Sequence, residues 1–156
     1  MAGSYTTLRD ELADVDRYVA LERSRLGERL AIRLRIAPEV LSVVLPYLAL
    51  QQRVENAVRN GLSGRPHGGT VSIIAENVGA ECVIAVEDDG MGMDPADLLR
   101  KPDDADLSGP VAVLGDVDRK VRAAFGDEFG LVVDTNLGAG MKVTMRVPKF
   151  RVGIRT

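Results

Sequence analysis

Gln52, Glu55, Asn56, Arg59 and Asn60 stand at i, i+3, i+4, i+7 and i+8, a spacing that gathers amides and charges into one stripe along a helix. Leu50, Val54, Ala57 and Val58 occupy much of the other side and are expected to face a core. A solvated helix face would give the same stripe. Its composition argues for more, because two asparagines oppose helix formation. Their side chains can ligate a metal or bond phosphate oxygens without adding charge. A second cluster, Glu87-Asp88-Asp89-Gly90-Met91-Gly92-Met93, follows an apolar run directly. A carboxylate at a strand end accepts hydrogen bonds from an amino group, and the glycines let a ligand approach the backbone closely. An acidic turn is the plainer reading of that pattern taken alone. Leu137-Gly138-Ala139-Gly140-Met141-Lys142 forms a third cluster, by itself only a hairpin turn.

The stripe needs a helix from about Pro46 to Asn60, with Pro46 suited to its first turn and Gly61 to its exit. Ahead of it, Leu8, Leu12, Val15, Val19 and Leu26 recur at three- to four-residue intervals and predict an amphipathic helix from about Thr7 to Arg25, ended by Gly27. Arg29 to Ile36 alternates, with Leu30, Ile32, Leu34 and Ile36 on one face, as a half-buried strand that Pro38 stops. Ser63 to Gly69 reads as a loop. Thr70 to Glu76 and Cys82 to Glu87 read as a hairpin turning near Gly79. Asp89 to about Gly109 shows no periodicity, and a loop of roughly 20 residues in a compact domain is often a lid or binding loop. A helix over Val111 to Phe125 and strands over Leu131 to Thr135 and Met141 to Val147 complete the chain. That order describes a two-layer α/β sandwich, a mixed sheet with helices on one face.

The 156 residues suit one domain with a sizeable core. Residues 1–26 form a leading helix, with Met1 to Ser4 set aside as an expression remnant; 27–150 form the domain and 151–156 a tail. Hydrophobic residues at 46% and charged residues at 28% fit a soluble globular protein, and a net charge of −3 excludes a nucleic-acid footprint. The apolar run Val40 to Leu50 is broken by Ser42 and Pro46 and is too short for a bilayer. No signal segment is expected. The single cysteine, Cys82, rules out an internal disulfide and fits a reducing cytoplasm.

In this order and at these spacings the clusters resemble the boxes of the GHKL superfamily, which holds histidine kinases, gyrase B, the MutL repair proteins and the heat-shock chaperone ATPases. Val54-Glu55-Asn56-Ala57-Val58-Arg59-Asn60-Gly61 looks like the N box, Asp88-Asp89-Gly90-Met91-Gly92 like the G1 box, and Gly138-Ala139-Gly140 like the final glycine turn. Asp10-Glu11-Leu12, Tyr18 to Glu22 and Arg25-Leu26-Gly27 are similar to the segment entering the kinase domain of LytS-type sensor kinases. The resemblance runs from about Thr7 to Pro148. It implies the Bergerat-type sandwich with an ATP lid and the cofactors ATP and Mg²⁺. Glu55 and Asn56 would be the catalytic pair, with Asn56 ligating Mg²⁺. Asn56, Asn60, Asp88, Gly90, Gly92, Gly109, Gly138 and Gly140 would hold the nucleotide, Asp88 accepting the adenine amino group. Asn60 stands where many relatives carry histidine. Gln52 stands where hydrolysing members carry a water-activating glutamate, and an amide is not a general base.

Two departures qualify that picture. Where relatives close the lid with a Gly-x-Gly-x-Gly-Leu box, this chain reads Gly109-Pro110-Val111-Ala112-Val113-Leu114, and Pro110 has no N–H to offer a phosphate. Met141 replaces a usual threonine. The only histidine, His67, lies in the loop after the N box and reads as a solvated residue. The resemblance to LytS-type kinases implies a phosphoacceptor on an upstream histidine-containing dimerisation domain, with a response regulator beyond it, so the isolated chain should not autophosphorylate on a family-type histidine. Two other readings remain: a regulatory module that has lost nucleotide turnover, and an anti-sigma-factor-type kinase.

Overall fold

The computed structural model of the chain describes residues 5–26, 30–62, 68–92, 94–96, 110–136 and 138–149, with backbone alone at 25–26, 60–62 and 110–113. Five strands form one sheet: β2 (Leu30–Ile36), β4 (Gly69–Val78), β5 (Glu81–Asp88), β6 (Val132–Thr135) and β7 (Met141–Pro148), in the order β2-β4-β5-β7-β6. β2 and β4 run parallel, Leu30 facing Gly69 and Ile36 facing Ala75; all other pairs are antiparallel. A parallel pair needs a crossover, and helix α2 (Ala49–Asn56) supplies it. Alternation along the strands buries Val71, Ile73 and Ala75, then Cys82, Ile84 and Val86, then Val143, Met145 and Val147. Against them pack Val15 and Val19 of α1 (Leu8–Leu26), Leu50 and Val54 of α2, and Val117, Val121 and Phe125 of α3 (Pro110–Phe125). The mixed sheet with helices on one face is the predicted sandwich. Burial pushes the Cys82 thiol up to about 12, so it is an inert core group.

Several expectations are corrected. Pro46 does not open a helix: it ends a short strand, β3 (Val44–Pro46), paired antiparallel with β1 (Tyr5–Thr7). Leu48 then turns the chain through φ 66, and α2 begins at Ala49. Three-residue strands carry too little alternation to be legible. Gly61 is not an exit either, because π-type turns continue through Ala57–Leu62. Leu34 remains 59% exposed, since β2 is the sheet's edge. Gly27 and the loop holding His67 lie outside the described residues.

No side chain of its own caps α2. The cap comes instead from α1: Oε1 of the buried Glu11 carboxylate accepts the Leu50 N–H at 3.1 Å, the Leu48 and Gln51 N–H groups lie close enough to favour its charge, and Oε2 has no hydrogen-bond partner among the described residues. A carboxylate at a helix N-terminus meets the positive end of the dipole and the orphan N–H groups together. Burial nevertheless raises the Glu11 pKa, against the lowering by those three N–H groups and with a small push from Asp14. A raised carboxyl pKa contributes stability that is full below the ordinary carboxylate range and is lost as pH rises through the folded value. Melting curves should therefore shift in favour of the unmodified protein over Glu11→Gln as pH falls from 8 toward 4.5. Parallel curves across that range would remove Glu11 from the account.

Candidate functional site

Asn56 is the last residue of the α-helical part of α2: the Ala57 N–H is shared between the carbonyls of Arg53 and Val54, and π-type turns follow over Ala57–Leu62. A π segment widens the helix there, a device found mostly at functional sites. It leaves Asn56 only 4% exposed, beside the fully buried Val54 and under a segment that packs on β4 and β5. Glu55 is half-buried and accepts the Gln51 amide at 3.0 Å. Arg59 is exposed. The backbone of Asn60 lies in the π segment, and its side chain lies outside the described residues.

Gln52 is engaged at both ends of its amide. Its Nε2 donates to Asp116 Oδ2 at 3.0 Å, and Lys120 Nζ donates to its Oε1 at 2.8 Å. Lys120 also pairs with Asp116 at 3.4 Å. The Gln52 amide, then Lys120 and Arg119, hold the Asp116 carboxyl below its ordinary pKa. This cluster clasps α2 to α3, and the side chain one turn before Asn56 is a structural clamp rather than a base.

Asp88 closes β5 opposite Met141, and its Oδ1 accepts the Gly90 N–H at 2.9 Å. The two glycine turns lock against this strand end. The Gly138 N–H donates to the Met91 carbonyl at 2.7 Å. A Cβ on Gly140 would stand 2.1 Å from the Asp88 carbonyl oxygen, and one on Gly92 would stand 2.1 Å from that of Asn136. Both glycines therefore serve backbone-to-backbone contact, and they place Asp88. Beside it, at the ends of β5, β6 and β7, opens a cavity of about 410 Å³ lined by Glu87, Asp88, Asp134, Thr135, Asn136, Ala139, Met141 and Lys142, with no residue of α2 among them. Gly109 lies outside the described residues. The stretch after it does not form a glycine lid: Pro110 to Leu114 are the first turns of α3, with proline at a first-turn position where its missing N–H costs nothing.

Sequence reasoning passed over Arg53. It stands three residues before Asn56, inside the apolar set of α2, and is 2% exposed. Its Nε and Nη1 have no hydrogen-bond partner among the described residues. Burial lowers its pKa to about 10, opposed by the nearby Asp88 carboxylate. Leaving such donors unmet costs about 1–3 kcal/mol each. The signal was present as a charge at a core-facing helical position between Leu50 and Ala57.

The sequence pattern of the histidine kinase-, DNA gyrase B- and HSP90-like ATPases matches residues 46–150. The chain belongs to this ATPase family. Sensor histidine kinase BtsS of Escherichia coli K12 is 31% identical over 144 residues, which are 92% of this chain and 24% of that protein. YesM of Bacillus subtilis, also a sensor histidine kinase, is 28% identical over 95% of this chain and 25% of its own length. The sensor protein LytS of Staphylococcus haemolyticus is 25% identical over 94% and 25%. This domain thus spans about a quarter of those relatives. The catalytic domain of histidine kinase ThkA superposes with a TM-score of 0.67 at 16% identity, covering 96% of this chain and 97% of that one. Acinetobacter baumannii histidine kinase AdeS gives 0.66 at 18%, covering 94% and 68%. No described helix is long and apolar enough to cross a membrane.

The residues present fit an adenine nucleotide. Asp88 stands beside an open cavity at the strand ends. Asn56 offers an amide oxygen, a hard ligand suited to Mg²⁺, which takes one or two protein oxygens and completes its shell with phosphates and water.

Proposed function

We propose that this ATPase domain binds Mg²⁺–ATP and donates the γ-phosphoryl group to a histidine on an upstream dimerisation domain, from which a response regulator receives it. The observation that carries this reading is the clamped Gln52. A hydrolysing site needs a general base near the attacking water, and here the corresponding side chain is an amide held by Asp116 and Lys120. The match of nearly all of this chain to about a quarter of each of two sensor histidine kinases supports the same choice.

In this reading Asp88 accepts the adenine amino group, while Asn56 holds the metal and the phosphates near the π turn. When bound, Mg²⁺ neutralises charge on the phosphates as the bond to ADP breaks and the bond to the imidazole nitrogen forms. Glu55 and Asn60 flank Asn56 at the phosphate end. Gly90, Gly92, Gly138 and Gly140 keep the strand end in place, with Gly109 at the lid. A cytoplasmic setting accompanies a site that consumes ATP.

Calorimetric titration with ATP and ADP, with and without Mg²⁺, tests the reading. Micromolar binding that weakens roughly tenfold or more in Asp88→Asn, the worth of a hydrogen bond to a charged group, is the expected result. Equal binding by both proteins would remove Asp88 from base recognition. The rival reading, a module without turnover that acts through protein contacts, is favoured by one feature: Pro110 and the residues after it are spent on starting α3. An absence of binding at millimolar nucleotide would put that reading first.

A further inference from the structure

α2 carries Asn56 at its last position, yet its eight residues have no side-chain cap of their own at the first. The segment leading into it is knitted to α1. β1 pairs with β3, the Leu8 N–H donates to the Val43 carbonyl at 2.9 Å, and the Arg9 N–H donates to that of Leu41 at 2.9 Å. Those ties stop at Pro46. Between them and α2 lies Leu48, the one non-glycine residue with positive φ among the described residues, at 66. An ordinary side chain keeps that conformation only where its surroundings impose it. Glu11, in the first turn of α1, reaches across the turn: it is fully buried, and its Oε1 accepts the Leu50 N–H at 3.1 Å. A charged acceptor makes the stronger kind of hydrogen bond. From Leu50 to Asn56 a helix rises only about 9 Å, so a shift of the first turn is carried to the amide at the far end.

The ATPase family pattern begins at residue 46, whereas the 148 residues matched in YesM, 95% of this chain, must take in Glu11. The contact thus joins the ATPase pattern to a helix ahead of it that a sensor histidine kinase also matches. We infer that Glu11 is a positioning residue for Asn56: its carboxylate fixes the first turn of α2 to α1, so that the placement of α1 sets the amide assigned to Mg²⁺ and the phosphates. This rests on the proposed Mg²⁺–ATP site and adds the route by which α1 governs it. Glu11 itself touches no nucleotide, being buried between two helices. The adenine end is independent of it, because Asp88 is held by β7 and by the glycine turns.

The probe is ATP, titrated calorimetrically at zero and at saturating Mg²⁺, below the onset of melting of every variant. The readout is the ratio of the two affinities. Glu11→Ala should lower that ratio roughly tenfold, the scale on which residues outside a site modulate it, and leave metal-free ATP binding unchanged. Glu11→Gln, of the same length and with an oxygen for the Leu50 N–H, should recover most of the ratio. Glu11→Asp, one methylene shorter, should not. Val15→Ala controls for stability: it removes buried volume from α1 one turn further on without touching the contact, and should keep the ratio. An unchanged ratio in Glu11→Ala would overturn the inference while the Mg²⁺–ATP site stands. An equal fall in Glu11→Ala and Val15→Ala would do the same, by reducing Glu11 to a support of the fold. Should Glu11→Ala fail to fold, Glu11→Gln and Glu11→Asp decide in its place, and equal ratios in those two would count against the inference. An unmodified protein whose affinity ignores Mg²⁺ would remove the metal site and the inference with it.

Discussion

Gly140→Ala is expected to destabilise the domain by about 2–5 kcal/mol and to weaken nucleotide binding along with it. The backbone there has φ +75, a left-handed conformation that costs an ordinary residue about 1–2 kcal/mol. The new Cβ would also lie 2.1 Å from the Asp88 carbonyl oxygen and 3.2 Å from the Asp89 Cα. Both obstacles are backbone, and Asp88 is paired with Val71 on one side and Met141 on the other, so the nearer one cannot swing away. Forcing a group into a closed contact adds about 1–3 kcal/mol. Relief by moving β5 would displace the carboxylate assigned to the base. Gly138→Ala is the internal control: its φ is +78, but a Cβ there meets nothing within 4 Å. Urea unfolding should show only the conformational cost of about 1–2 kcal/mol at that site. Equal losses in the two variants would mean that crowding against Asp88 is not what Gly140 avoids.

Asn56→Ala should lower the Mg²⁺-dependent affinity for ATP by about 100-fold or more, since losing a mere outer-sphere partner of a metal already costs about 10–100-fold. Its effect on stability should be small. Alanine is the better helix former by about 0.7 kcal/mol, and the loss of a buried amide's hydrogen bonding costs about 1 kcal/mol, so the two nearly cancel. Binding measured at zero and at saturating Mg²⁺ separates the roles. The variant should lose the increment due to the metal and keep the base contribution through Asp88. Unchanged affinity in the presence of Mg²⁺ would place the ion elsewhere.

Helical periodicity marks α1, α2 and α3, strand alternation marks β2, β4, β5 and β7, and box spacing singles out Asn56 and Asp88. These signals survive in one dimension because each comes from residues close in sequence. Leu8, Val15 and Val19 lie on one stripe whatever the helix meets. Gln52 and Asn56 share a stripe for the same reason. Arg59 on that stripe is exposed, as a polar face predicts, and Arg53, three residues before Asn56, is buried. A charge among apolar positions was the trace of it, and local propensity gives no reason to prefer the buried arginine.

What the sequence by itself determined is the family, the sandwich and the residue types available to hold a nucleotide. The tertiary structure decided where those residues act. Glu11 caps a helix from 39 positions away, Gln52 is held by α3 from 64 positions away, and Gly140 is compressed against Asp88 by the pairing of β5 with β7. Each is a contact between segments whose meeting depends on the whole core, and no local pattern encodes the distance between them. The π turn after Asn56 belongs with these. It lies where the chain leaving α2 packs on β4 and β5, strands that are not sequence neighbours of Asn56.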